Sequence, residues 1–131
     1  MPVRDAGRAV AAVAAWVALA LAGGACTDAR GARPLSTGLG DPPRGREAIA
    51  AYGCGACHTI PGVRGADSFV GPPLTAFGRR SFVAGHLPNT AENLVAWLRD
   101  PQAVRPGTAM PDLGVTEADA LDIAAYLHSL R

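Results

Sequence analysis

Residues 54–58 read Cys54-Gly55-Ala56-Cys57-His58. Two thiols three positions apart on one helical turn can each add to a vinyl group of a haem, and the next residue can turn its imidazole to the iron. Gly55 and Ala56 keep the turn small enough to lie close to the macrocycle. A redox-active dithiol shares the Cys-x-x-Cys spacing, but it follows a strand and opens a long helix in a βαβ setting. No strand pattern precedes Cys54. Zinc needs further Cys or His ligands, and the remaining histidines, His86 and His128, stand isolated in the sequence. The motif points to one covalently attached haem c, held at Cys54 and Cys57, with His58 as proximal iron ligand.

Outward from the motif, residues 44–52 combine good helix formers with Ile49 and Tyr52 on one side, Pro42 and Pro43 suit the start of that helix, and Gly53 ends it. Downstream, Gly71-Pro72-Pro73-Leu74 is too rigid for a helix or strand interior. Pro72 keeps its carbonyl, which can accept the proton on the second nitrogen of His58; the alternative is a plain surface turn. Leu74 and Phe77 are expected against the macrocycle. Asn89, with Glu92 three residues on, reads as a helix start with reciprocal capping, leading through Leu94, Val95, Trp97 and Leu98 until Pro101 stops it. Trp97 is either core or, the favoured reading, lining of the distal pocket. Thr116 with Asp119 opens a last helix whose Ala120, Ile123, Ala124, Leu127 and Leu130 recur at helical spacing.

A proximal histidine leaves one axial position open. Beyond Met1 the chain holds a single methionine, Met110, within Pro106-Gly107-Thr108-Ala109-Met110-Pro111. Prolines on both sides make a stiff loop, and Pro111 biases Met110 away from helical angles. A methionine outside any apolar helix face is better placed to present its thioether to iron than to fill a core. His86 is the rival sixth ligand, and His128 is expected at the surface.

The first 26 residues differ from the rest. Arg4 and Arg8 precede the apolar run 9–22, AVAAVAAWVALALA, followed by Gly23, Gly24, Ala25 and Cys26. This is the pattern of an export signal, and the run falls short of the ~20 residues that span a bilayer. Cys26 after small residues resembles a lipoprotein acceptor site, so lipid on Cys26 and an uncleaved N-terminal anchor both stay open; either puts the domain on the periplasmic side. Residues 27–43, rich in Gly, Pro, Ser and Thr, read as a flexible tether, and 44–131 as one small domain. With 131 residues and a formal charge of +1, the chain lacks the basic stripe of a nucleic-acid binder. Every basic residue is Arg and none is Lys, which is first a compositional habit and second a choice for pairing with carboxylates.

Together these motifs resemble the class I cytochromes c, small single-haem proteins with His and Met ligation, over residues 45–130. The resemblance implies an all-α fold of three to four helices and loops wrapped around one haem. It implies that Gly45 allows the first helix to cross the last closely, with Ile49 meeting Ile123 and Tyr126. It matches Gly71-Pro72-Pro73-Leu74 to the family's Gly-Pro-x-Leu loop, and Gly78-Arg79 to a Gly-Arg pair in which Arg79 would neutralise a haem propionate. Residues 106–110 match the distal loop. The chain departs from mitochondrial-type members in having Trp97 where they carry Tyr, no lysine ring for docking, and a short loop between Met110 and the last helix.

With both axial positions filled, no site remains for a substrate, so the expected function is one-electron carriage between partners of a respiratory chain rather than enzymatic catalysis. A haem c subunit fixed in a membrane redox complex is the alternative, and a haem sensor or weak peroxidase the remote one. Compatible partners are a terminal oxidase, a quinol-oxidising complex or a periplasmic dehydrogenase.

Overall fold

The computed structural model describes residues 40–131. In chain order its elements are α1 (Pro42–Ala51), a 3-10 turn (Cys54–Ala56), a second 3-10 turn (Phe77–Arg79), strands β1 (Phe82–Val83) and β2 (Leu87–Pro88), α2 (Ala91–Arg99), the single turn α3 (Pro101–Val104) and α4 (Glu117–Ser129). The expected helices are present, with a two-stranded antiparallel ribbon added, Val83 paired with Leu87. Strands of two residues are too short for alternation to be visible in sequence. Their connection relies on Ala84 and Gly85 at φ 53 and 83.

Asp41 caps α1, its carboxylate accepting the Arg44 N–H, and Pro42 takes the first helical position, where its missing N–H costs nothing. Helix α1 thus starts ahead of residue 44, and Pro42 and Pro43 form its first turn. Gly53, at φ 71, ends it in the left-handed region and starts the turn that holds the cysteines.

Helices α1 and α4 cross closely at Gly45. A Cβ there would stand 2.0 Å from the Asp122 carbonyl oxygen, so only glycine fits. Ile49 and Ile123, each 1% exposed, share one core with Leu94, Leu98 and Leu127. The crossing is latched by the buried carboxylate of Asp122, which accepts the Asp41 N–H at 2.8 Å and pairs with the Arg44 Nε at 3.2 Å. A carboxylate removed from water is stable only with such partners. At the far end of α1, the Tyr52 hydroxyl donates to Asp119 at 2.9 Å, beside the Thr116 cap of α4, whose side chain accepts the Asp119 N–H.

Two expected boundaries shift by one step. The cap of α2 is Thr90, which accepts the Asn93 N–H, and not Asn89, whose amide is engaged elsewhere. Glu92 still serves the start of α2: its carboxyl is held below its ordinary value by hydrogen bonds from the backbone and from Thr90. Pro101 does not merely stop α2; it is the buried first residue of α3, capped by Asp100, which accepts the Ala103 N–H at 2.8 Å. Among the described residues no helix is long and apolar enough to cross a membrane. The segment 1–26, with Cys26, lies outside them.

Gly45→Ala is expected to destabilise the holoprotein by about 1–3 kcal/mol through overpacking at the crossing. Arg46→Ala, exposed on the same helix, should stay within about 0.5 kcal/mol of the parent. Denaturant unfolding followed by circular dichroism compares the two.

Candidate functional site

In the first 3-10 turn the N–H groups of Cys57 and His58 both bond to the Cys54 carbonyl, at 3.2 and 3.0 Å. Side chains at i and i+3 eclipse in such a turn, which brings Cys54 and Cys57 to the same side. Both thiols are free and border one cavity. Burial pushes the Cys54 thiol above its ordinary value, and the neighbouring Cys57 adds to the effect. This is the reverse of a redox dithiol, whose attacking sulfur is held as thiolate. Gly55 packs on Ala66, where a Cβ would come within 2.8 Å of the Ala66 methyl.

His58 also lines the cavity. Its Nδ1 lies 2.8 Å from the Pro72 carbonyl. Because a carbonyl only accepts, Nδ1 carries the proton and Nε2 keeps its lone pair for a metal. The carbonyl is itself held: Gly71 N–H donates to Cys57 O at 2.7 Å and Leu74 N–H to Thr59 O at 2.8 Å. A Cβ on Gly71 would lie 2.5 Å from the His58 ring, so glycine is what lets the loop lie flat on the imidazole.

The cavity measures about 530 Å³, within the roughly 300–1,000 Å³ typical of bulky organic ligands. Ile49, Leu94, Leu98, Ile123 and Leu127 form its helical wall; Leu74, Phe77 and Trp97 add to it, and Met110 borders it between Ala109 and Pro111. Cys54, Cys57, His58, Pro72, Leu74, Phe77, Trp97 and Met110 are therefore gathered around one space. Arg79 is not: it is exposed and outside the lining. Arg80 follows the buried Phe77 by three residues and lies on the same side of the second 3-10 turn, which opens at Ala76 with φ 50. The Arg80 guanidinium lies 5.3 Å from the Phe77 ring centre and donates to the Pro73 carbonyl. Arg105 is the second cation in the lining, which among the described residues holds no Asp or Glu. The three-residue spacing from Phe77 could have signalled Arg80 from sequence; no such spacing marks Arg105.

His86 is exposed, bonded at 3.2 Å to Ala84 O, and not part of the lining. His128 is half-buried rather than on the surface. It packs beside Phe77, and its Nε2 lies 3.1 Å from Asn89 Oδ1. The Asn89 amide donates to the carbonyls of Phe77 and Arg80, each at 3.1 Å. Asn89 and His128 thus brace the turn from behind. Among the described residues no three His, Cys, Asp or Glu side chains gather as a bare-metal site. The cavity is instead mostly apolar, with two thiols, an imidazole, a thioether and two guanidinium groups at its border.

A family model described as Cytochrome c matches residues 43–131. Curated relatives include Cytochrome c oxidase subunit 2 of Alkalihalophilus pseudofirmus, 40% identical over 89 residues, covering 67% of this chain and 25% of that protein. The proteins of the same name from Bacillus sp. strain PS3 and Bacillus subtilis are 38% and 36% identical, over 65% and 67% of this chain and 25% and 26% of theirs. The chain spans about a quarter of the length of these relatives.

Burial first, and then Arg131, lower the pKa of His128 below its ordinary value. The unfolded chain then binds more protons than the folded one as pH falls through the unfolded value, so stability contributed by neutral His128 is present above that value and lost towards the folded one. The expected outcome is a loss of holoprotein stability from pH 7 downwards that is smaller in His128→Gln, measured by denaturation at several pH values.

Proposed function

We propose, on the premise that the chain belongs to the cytochrome c family, that it is an electron-transfer module with one covalent haem c, serving a membrane-bound terminal oxidase. The carrying observation is the convergence of Cys54, Cys57, His58 and Met110 on one apolar cavity. Family membership implies haem c, and the fit is chemical as well as spatial: two thiols side by side, one imidazole with its metal-binding nitrogen free, one thioether, and no competing acid in the lining. When bound, the haem supplies a one-electron couple at its iron.

The chain's residues would do the rest. Cys54 and Cys57 would make the thioether links, His58 the proximal bond, and Met110 the distal one. Pro72 would hold the His58 proton and keep the ring basic and oriented. Arg80 and Arg105, in place of the expected Arg79, would face the carboxylate side chains of the group. Apolar walls and a neutral thioether favour the less charged reduced state, which sets a positive potential.

The likeness of three relatives named as oxidase subunit 2 supports a domain in a membrane respiratory complex over a freely diffusing carrier. Anchoring fits the same reading: export by residues 1–26, with lipid on Cys26 or a retained N-terminal segment, would hold the domain on the periplasmic side. Pro42 and Pro43, expected in the tether, belong to α1; residues 27–39 lie outside the described residues. Co-purification with an oxidase from detergent-solubilised membranes tests the assignment. A haem-stained band that leaves washed membranes alone would return the reading to a mobile carrier.

Intact mass and a pyridine haemochrome spectrum should show one haem per chain that acidic acetone does not extract. Met110→Ala should abolish the weak near-infrared sulfur-to-iron band of the ferric protein, lower the potential, and raise reactivity with peroxide by opening a coordination position. An unchanged spectrum and potential in that variant would refute Met110 as ligand.

A further inference from the structure

We propose that Gln102 is the positioning residue for Met110, its side-chain amide holding the loop that presents the thioether; the inference rests on reading Met110 as the sixth ligand. The loop has little support of its own. Among the described hydrogen bonds, Thr108 N–H reaches Arg105 O at 3.1 Å, and Met110 N–H reaches Thr108 Oγ1 at 3.5 Å. Gln102 supplies three more: Oε1 accepts the Gly107 N–H at 3.1 Å, while Nε2 donates to Thr108 O at 2.9 Å and to Met110 O at 3.2 Å. The assignment of oxygen and nitrogen follows from the partners, one a donor and two acceptors. A side-chain amide carries both functions on one rigid plane, so it can hold Gly107 and the residues after it, Thr108 and Met110, at once.

Gln102 is anchored in turn. It follows Pro101, a fully buried residue, in a turn capped by Asp100. At the root of the loop, Arg105 Nη1 donates to Ala84 O at 3.1 Å and joins the loop to the ribbon. The loop is exposed along most of its length, with Pro106, Gly107, Ala109 and Pro111 all at the surface, and between them it is the half-buried Met110 that packs against the core. A thioether is a neutral, weak ligand whose bond to iron depends on the protein delivering it at a fixed place. Preorganisation of that kind comes from side chains around the ligand as much as from the ligand itself.

The test uses ferric holoprotein and measures the rate at which imidazole or cyanide replaces the native sixth ligand, beside the near-infrared sulfur-to-iron band and the unfolding midpoint. Gln102→Ala removes all three bonds. Gln102→Glu keeps the shape and the acceptor for Gly107 but sets a carboxylate oxygen against two carbonyls. Both are expected to exchange the ligand about tenfold faster or more than the parent, the scale of one net hydrogen bond. Haem content should stay at one per chain, and Arg99→Ala, which breaks the exposed pair with Glu117, should leave the rate alone. Exchange in Gln102→Glu within about twofold of the parent overturns the proposal. So does a Gly107 amide that exchanges its hydrogen unprotected in the parent protein, a measurement that needs no variant to fold. A parent lacking the sulfur-to-iron band would instead overturn the ligation by Met110, and with it the premise.

Discussion

The crossing of α1 and α4 at Gly45 is the constraint on which the other parts depend. Because no side chain stands between the helices there, Ile49 and Ile123 meet in one core and a wall of the cavity is set. The same contact fixes the direction in which α1 ends, and so where Gly53 turns the chain into the cysteine motif. Asp122 couples it to electrostatics: the carboxylate is buried at the cost of its hydration, and the Asp41 N–H and Arg44 offset that cost only while the helices stay crossed. A domain this small has little other core, and Ile49, Leu94, Leu98, Ile123 and Leu127 serve both as core and as cavity wall.

The two faces of that cavity are supported differently. On the side of His58, backbone bonds from Gly71 and Leu74 strap a proline-rich loop to residues 57 and 59, leaving the Pro72 carbonyl little freedom. On the side of Met110, the loop leans on side chains, Gln102 and Arg105. Backbone straps survive most substitutions because every residue but proline has an N–H. Side-chain struts do not, and the methionine side is the one that single substitutions can loosen.

Much of this was legible in the sequence, wherever the information lies within one or two turns of chain. The cysteine motif, the Thr116 cap and the proline-bounded Met110 loop depend on spacing alone; the Pro72 carbonyl opposite His58, 14 residues away, was read from the rigidity of its loop and from the family resemblance. What was not legible depends on the phase of short elements. Whether Arg79 or Arg80 faces inward depends on the phase of a three-residue turn that opens at Ala76 in the left-handed region, a conformation alanine does not advertise. Reading Pro101 only as the end of a helix hid the turn it begins, and with it the role of Gln102. The ribbon was invisible because two residues cannot alternate. Asn89 looked like a cap because its type and its distance from Glu92 suit one; the position next to it does that work, which frees its amide to support the wall at Phe77.

The same scaffold can in principle carry electrons or activate small molecules, and what separates the two is how long the sixth position stays closed. A ligand that leaves rarely keeps oxygen and peroxide from the iron and keeps the geometry of both redox states alike, so little rearrangement accompanies electron transfer. Under the proposed ligation, the thioether contributes little of that closure itself, since it brings no charge and no strong basicity. The closure must come from the loop, and the loop's stiffness from its prolines, from the bonds that Gln102 makes to it, and from Arg105, which ties its root to Ala84. Under the proposed placement beside an oxidase the domain would meet oxygen continuously, and selection for a closed distal side would then act on residues that never touch the iron.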